Sequence, residues 1–163
     1  MAAAMITRTA VVSRVLKLRL ETQLEGLPGL LTEAGEPALA RRPPSGQWSA
    51  HEHLAHLARV HAVMLERLER ILSERGPQLE RYLAENDPEW PEWAACSTRE
   101  VLDRLTTLRH ELIERVEALT PAELAREARH PLFGWMAVPQ WLDYFLLHEA
   151  HHLYQLVLRR HGG

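Results

Sequence analysis

The chain has 163 residues, of which 46% are hydrophobic and 25% are charged; these proportions are typical of a folded globular protein and exclude wholesale disorder. A formal net charge of −3 argues against non-specific electrostatic binding to nucleic acid or acidic lipid. The single cysteine excludes an internal disulfide and cysteine-rich metal sites. We therefore expect residues 1–163 to form one domain.

The N-terminal segment predicts neither export nor membrane insertion. Thr7, Arg8 and Arg14 interrupt the apolar run that a secretory signal needs. No window approaches the 18 or so uncharged apolar residues that would span a bilayer. We expect a bacterial cytoplasmic protein without nucleic-acid or membrane partners.

The first element in chain order is a helix from about Thr7 to Glu25. Its apolar residues recur at steps of three and four, which is the helical period: Val12, Val15, Leu16, Leu20, Leu24 and Leu27. The helix is predicted to end in the sequence Gly-Leu-Pro-Gly at 26–29, because these residues interrupt helices. Residues 31–47 show no period and are predicted to form a loop.

A second helix is predicted to begin at Ser49, where Ser-Ala-His-Glu has the spacing of a capping box. It ends by Arg75, before a Gly-Pro pair. Its apolar stripe consists of Leu54, Leu57, His61, Met64, Leu68 and Ile71. Residues 76–96 are predicted to be a long connection with one turn around Leu79–Leu83.

Two further capping boxes organise the second half of the chain. The box at Ser97 opens a helix to about Leu119, and the box at Thr120 opens a short one. A turn at 130–135 precedes a last helix over 138–160, and no segment has the alternation of a strand. Four long helices predict an all-α four-helix bundle. The connection at 76–96 is long enough to cross that bundle, which allows the second and third helices to run parallel.

Seven of the ten histidines fall in the second and the last of the long helices. His148 and His152 are four residues apart, so they lie on one helical face, where two imidazoles can chelate one ion. A third ligand from the second helix would complete such a site. Periodicity alone favours His61, inside the apolar stripe, or His53 beside it, and puts His56 on its flank.

The same residues of the last helix also read His-Glu-x-x-His, the zincin motif. The positions at which metzincins have glycine and histidine are Gln155 and Leu158 here, and no predicted sheet is available to shape a peptide cleft. A peptidase is therefore the weakest of the functions considered.

Two segments of the chain resemble the DinB/YfiT-like family. Residues 48–57, Trp-Ser-Ala-His-Glu-His-Leu-Ala-His-Leu, resemble the family's W-S-x-x-E-x-x-x-H-L segment, and residues 130–134 with 148–155 resemble its final helix. The resemblance implies a bundle in up-down-down-up order. It also implies a divalent metal, zinc or nickel above all, held by His56, His148 and His152.

The resemblance further implies a function. Three neutral imidazoles leave a metal open to water or substrate, as in catalytic sites. Characterised members of the family include S-transferases that use mycothiol, bacillithiol or glutathione, and a thiol-dependent maleylpyruvate isomerase. We therefore expect a metal-dependent, homodimeric enzyme acting on a small molecule, most concretely a low-molecular-weight thiol S-transferase, with hydrolysis as a variant. The alternative is a non-catalytic, metal-binding or stress-responsive homodimer.

Three further residues are candidates for the surroundings of the site. Glu149, between the two ligands of the last helix, is expected either to orient a ligand or bound water or to pair with a distant group. Trp48 is expected to pack over the start of the second helix or to line a pocket. Tyr144, with other aromatic residues of the last helix, is a candidate for an apolar substrate pocket.

Overall fold

The structure, a computed structural model, describes residues 11–161, so the predicted helix start at Thr7 lies outside the described residues. Most of the described chain is helical, with one short hairpin. The elements in chain order are α1 (Arg14–Thr22), α2 (Leu27–Ala34), α3 (Glu36–Leu39), α4 (Ala50–Ser73), α5 (Trp90–Ala95), α6 (Thr98–Glu117), α7 (Pro121–Leu124), β1 (Glu127–His130), β2 (Gly134–Ala137) and α8 (Val138–Arg159). None of the helices described is long and apolar enough to cross a membrane.

The helices α4 and α6 run parallel. His51, in the first turn of α4, hydrogen-bonds Thr98, the first residue of α6, at 3.0 Å. Towards the other end, Met64 of α4 and Leu112 of α6 belong to one core cluster. The connection between them therefore returns along the length of α4, about 36 Å for a 24-residue helix.

The last helix runs antiparallel to α4 and parallel to α1. Four contacts define these directions: His53–His152 and His56–His148 between α4 and α8, and Arg19–Asp143 and Gln23–Glu149 between α8 and the segment of α1 with its C-cap. The long elements α1, α4, α6 and α8 thus follow the up-down-down-up order. The predicted four-helix bundle is confirmed.

The three predicted capping boxes are all present. In each one, the hydroxyl of the capping residue accepts a backbone N–H three residues on, and the carboxylate of that residue accepts the N–H of the capping residue. The pairs are Ser49 with Glu52, Ser97 with Glu100, and Thr120 with Glu123. These hydrogen bonds set the starts of α4, α6 and α7.

The prediction that residues 31–47 form a loop is wrong in its first half. The helix α2 begins directly after Gly26 and tolerates Pro28 because the first helical turn needs no intrahelical N–H donor. Gly35, at φ +75°, then turns the chain into α3. The reason for these helices is burial, since Leu31 and Leu39 are 6% and 1% exposed. Likewise, α5 replaces part of the predicted connection.

The prediction of no strands is also wrong. The strands β1 and β2 pair antiparallel, with Glu127 opposite Ala137 and His130 opposite Gly134. The predicted turn at 130–135 is the tip of this hairpin, where Gly134 adopts φ +73°. Arg129 also exchanges backbone hydrogen bonds with residues 77 and 79, so the hairpin holds the α4–α5 connection against the bundle.

The apolar core consists of two clusters of buried side chains. One is built around α2, α5 and the first halves of α4 and α6, and the other around the second halves of these helices with α1 and α8. Residues 50–58 of α4 belong to the first cluster and residues 60–71 to the second. Where the two clusters meet, α4 and α8 face each other with histidines and a carboxylate.

Candidate metal centre

Three histidines from two helices converge between α4 and α8. The Nε2 atoms of His56 and His148 lie 3.3 Å apart. The ring of His152 lies 4.3 Å from the ring of His56 and 4.5 Å from that of His148, between centroids. One nitrogen from each side chain lies within 4.8 Å of the others. The four-residue spacing on α8 and the antiparallel approach of α4 produce this cluster.

The three imidazoles are held in their uncharged form. His56 is 5% exposed and His152 is 9% exposed. Burial, reinforced by the neighbouring histidines, lowers the pKa of His56 to about 3 and that of His152 to about 2. Burial likewise lowers the pKa of His148 to about 4. At neutral pH their nitrogen lone pairs are therefore free to bind a cation.

The donor set fits a divalent ion. Two nitrogens on one tetrahedral zinc, each about 2.0–2.1 Å from the ion, are about 3.3–3.4 Å apart, which matches the separation of the Nε2 atoms of His56 and His148. The buried Nδ1 atoms of the same two residues have no hydrogen-bond partner among residues 11–161. Imidazole is a ligand for zinc, nickel, copper and iron alike, so the set does not select one metal.

A fourth histidine fixes the orientation of the third. The Nδ1 atoms of His53 and His152 lie 2.9 Å apart, at hydrogen-bond distance. One ring must donate and the other accept, since two lone pairs would repel. Donation from His152 leaves its Nε2 as a lone-pair donor, which is the arrangement that ligand histidines commonly have.

Two tryptophans cover the histidine cluster. The ring of Trp48 lies 5.0 Å from that of His56 and stacks on Trp90 at 5.1 Å. Trp90 comes from α5, in a segment that the sequence predicted to be a connection. No sequence signal pointed to it, because an isolated short helix has no period from which its inward face could be read.

Glu149 faces the core rather than the three histidines. Its carboxylate accepts a hydrogen bond from Gln23 at 2.8 Å, pairs with Arg109, and lies 3.3 Å from Nε2 of His61. Burial alone would raise the pKa of Glu149, but His61 and Arg109 hold it below its usual value. Of the two expectations for this residue, pairing with distant groups describes its position.

The other histidines of the two helices have separate surroundings. His61 is fully buried, and its Nδ1 donates to the carbonyl of Leu57 at 2.7 Å. His51 contacts the hydroxyl of Thr98 and the carbonyl of Ala94. His151 is exposed, next to His152 in sequence. None of these three is part of the cluster.

A pocket of about 100 Å³ adjoins the cluster. Tyr144 lines it, together with His148 at the end nearest the other histidines. The remaining lining residues are Val60, Met64, Arg67, Arg81, Tyr82, Trp141 and Phe145. The two arginines and Tyr82 were not foreseen, because two of them come from the connection between α4 and α5, whose path cannot be read from periodicity.

Comparison with known proteins gives a consistent family relationship. The family model described as the DinB superfamily matches residues 19–156. An uncharacterised protein from Bacillus subtilis, YuaE, is 28% identical over 150 residues, which cover 85% of this chain and 90% of that protein.

Two solved structures share the fold. YfiT from Bacillus subtilis, described as a probable metal-dependent hydrolase with an unusual four-helix bundle topology, matches with a TM-score of 0.73 at 22% identity, over 93% of this chain and 91% of its own. TT2238, described as a four-helix bundle protein, matches with a TM-score of 0.62 at 30% identity, over 87% and 94% of the two chains.

Proposed function

The chain belongs to the DinB superfamily, and from this premise we propose that it is a metal-dependent enzyme whose divalent ion is held by His56, His148 and His152. The observation that carries the proposal is the convergence of one nitrogen from each of these residues within 4.8 Å. The description of YfiT as a probable metal-dependent hydrolase agrees with it. Zinc and nickel are the ions we favour because the family resemblance points to them, although three imidazoles suit copper and iron as well.

The chain's own residues prepare the site. A divalent ion with three neutral nitrogen ligands keeps an open position, where it lowers the pKa of a thiol or a water. Burial keeps the three imidazoles unprotonated, and His53 holds the ring of His152 in one orientation. The stacked rings of Trp48 and Trp90 exclude bulk water from one side, which strengthens electrostatic interactions within the site.

We propose S-transfer from a low-molecular-weight thiol as the reaction. In this proposal the thiol releases its proton to solvent, its sulfur lies at the histidine cluster as a thiolate, and the electrophilic partner occupies the pocket lined by His148 and Tyr144. The sulfur forms a bond to the electrophile, whose leaving group departs with the bonding electron pair. Hydrolysis of a small substrate is the second candidate, favoured by the description of YfiT.

Metal analysis of protein purified without a histidine tag tests the ligand set. We expect about one zinc or nickel ion per chain in the wild type, and its loss in His56→Ala and in His148→Ala with helicity retained. His151→Ala is the matched control, because it removes an exposed imidazole from the same turn of α8, and it should keep the metal. Metal retained in His56→Ala would contradict the assignment.

Turnover assays separate the two reactions. The metal-loaded protein is offered an aryl halide with and without bacillithiol, mycothiol or glutathione, and in parallel an aryl ester without thiol. Thiol-dependent turnover that disappears in His152→Ala supports S-transfer. Ester turnover without thiol supports hydrolysis instead, and a loaded, folded protein inactive towards both favours the non-catalytic alternative.

A further inference from the structure

The pocket beside the histidine cluster contains two arginines that have no carboxylate partner among residues 11–161. Nη2 of Arg67 donates to the carbonyl of Glu80 at 2.6 Å, and within residues 11–161 this is its only hydrogen bond. Arg81 forms neither a hydrogen bond nor an ion pair with any residue of that range. The two arginines that are buried among the described residues, Arg59 and Arg109, are each paired with a carboxylate, Asp87 and Glu149 respectively. Two cations in one pocket thus leave positive charge for a ligand to neutralise.

The pocket runs along α4 and α8, away from the histidine cluster. His148 lies at the end next to the cluster, and the guanidinium of Arg67 lies over the ring of Trp141 at the other end, 5.6 Å from its centroid. His148 and Trp141 are seven residues apart on α8, about 10 Å along the helix axis. Between them the walls are apolar or aromatic, with Val60, Met64, Tyr144 and Phe145.

Two further observations concern the far end of the pocket. The indole N–H of Trp141, a buried donor, has no hydrogen-bond partner among the described residues, and an unpaired buried donor is costly unless a ligand accepts from it. Burial and the positive charges of Arg67 and Arg81 also lower the pKa of His130, whose ring lies 5.4 Å from that of Trp141. This end is therefore electropositive as well as aromatic.

We infer that this pocket selects a substrate with a carboxylate at one end and an apolar or aromatic body. The carboxylate pairs with Arg67 and Arg81, and the body lies between the aromatic walls. The opposite end of the molecule, which carries the reacting atom, reaches His148. Guanidinium groups suit this task because their planar N–H donors match the two oxygens of a carboxylate, and stacking on Trp141 holds Arg67 in place before the ligand arrives.

The inference names a substrate class for the proposed enzyme and rests on that proposal only for the reacting end of the molecule. Its test is binding rather than turnover. The probes are 4-fluorobenzoate and its uncharged counterpart 4-fluorobenzamide, each titrated with full-length protein and followed by fluorine NMR. Zinc-supplied and chelator-treated protein are compared throughout.

We expect the carboxylate to bind at least about tenfold more tightly than the amide, since hydrogen bonds from a guanidinium to a charged acceptor are stronger than those to a neutral one. Arg67→Gln should weaken carboxylate binding at least about tenfold, with or without zinc. Because Arg67 is largely buried, Arg81→Gln, at an exposed position, provides the second variant with the same expectation. Arg70→Gln is the control, because its guanidinium lies outside this pocket and pairs with Glu74 at 2.6 Å.

Three results would overturn the inference. Equal affinity for the acid and the amide would show that the pocket does not recognise the negative charge of the probe. Carboxylate binding that survives both arginine substitutions but disappears with the chelator would place the carboxylate on the metal. Displacement of the probe by phenyl phosphate at a tenfold lower concentration would assign the site to phosphate esters. Arginine-dependent binding in a protein that takes up no metal would support the inference and contradict the proposed function.

Discussion

The hydrogen bond between His53 and His152 joins two Nδ1 atoms at 2.9 Å. Only one of the two atoms carries the proton, so the tautomer of one ring determines that of the other. If His152 donates, its Nε2 is left as the metal-binding atom. We predict that His53→Ala lowers zinc affinity about 10–100-fold, the usual effect of removing a residue that orients a ligand. Competition with a chromophoric chelator measures this, and helicity should not change.

The control for this variant is His110→Ala, which removes an exposed histidine from α6 and should leave zinc affinity unaltered. A His53→Ala protein that binds zinc as tightly as the wild type would show that packing alone orients His152. His53→Asn, which retains a side-chain acceptor, should recover part of the loss.

The buried histidines also determine how stability responds to acid. The pKa of His56 is about 3 and that of His148 about 4, against 6.5 for the ordinary side chain. Between pH 6.5 and these values the unfolded chain binds more protons than the folded one, so the free energy of unfolding falls as pH decreases. Above about pH 6.5 these histidines are unprotonated in both states, so the stability that depends on their neutral form is fully present.

We therefore predict that metal-free protein loses up to about 1.4 kcal/mol per pH unit for each such histidine between pH 6 and 5. Urea unfolding at several pH values measures the slope, and carboxylates contribute little in this window. His56→Gln, which cannot titrate, should flatten the slope. An unchanged slope in that variant would mean that His56 is protonated in the folded protein.

At the scale of elements, Glu149 links all four long helices. Its carboxylate on α8 is joined to Gln23, the C-cap of α1, and to Arg109 of α6, and it lies 3.3 Å from His61 of α4. Removing one partner from a buried ion pair leaves an uncompensated charge. We predict that Glu149→Ala destabilises the fold by about 3–5 kcal/mol, measured by urea unfolding.

The matched control on the same helix is Asp143→Ala. Its carboxylate is exposed and lies 3.6 Å from Arg19, and exposed ion pairs contribute about 0–1 kcal/mol. If both variants lost the same stability, the buried position of Glu149 would have no special role. A double variant that also replaces Arg109 by Met should recover part of the loss, because no unpaired charge remains.

The elements that the sequence predicted well are those with a local cause. Ser49, Ser97 and Thr120 are each followed three residues later by a glutamate, so a stretch of four residues is enough to predict where the helix begins. The hairpin was missed because its inward positions in β1 are Ala128 and His130, which produce no apolar alternation. The helices α2 and α3 were missed because tertiary burial of a few leucines, and not a sustained period, forms them.

The site divides in the same way. The pair on α8 follows from the four-residue spacing alone, whereas periodicity preferred His61 to His56 and only the family resemblance pointed to His56. A helical wheel of α4 alone locates its apolar stripe. It does not show on which side of the stripe the antiparallel helix α8 lies. Arg81 and Tyr82 depend on the course of a connection, which no local rule describes.

At the scale of the molecule, the proposed metal would join distant parts of the chain. His56 and His148 are 92 residues apart in sequence, and the cluster does not exist in the unfolded state. An ion that binds only the folded protein at 100 times its dissociation constant stabilises it by about 2.7 kcal/mol. We predict that excess zinc raises the melting temperature by about 5–10 °C.

Scanning calorimetry with and without zinc measures this shift, and magnesium, which prefers oxygen ligands, serves as the control ion. The His148→Ala protein should show no shift with either ion. A shift of equal size in that variant would place zinc elsewhere on the chain.

The histidine cluster draws its side chains from only two neighbouring helices, and this has a consequence for protein design. A pair at four-residue spacing on one helix and a single histidine on its antiparallel neighbour need no particular loop, sheet or bundle topology. Together with His53, and with Trp48 directly before the N-cap of α4, they amount to a few turns of each helix and one capping segment. Such a unit could be grafted onto any antiparallel helix pair of similar separation, where its orienting residues would travel with its ligands.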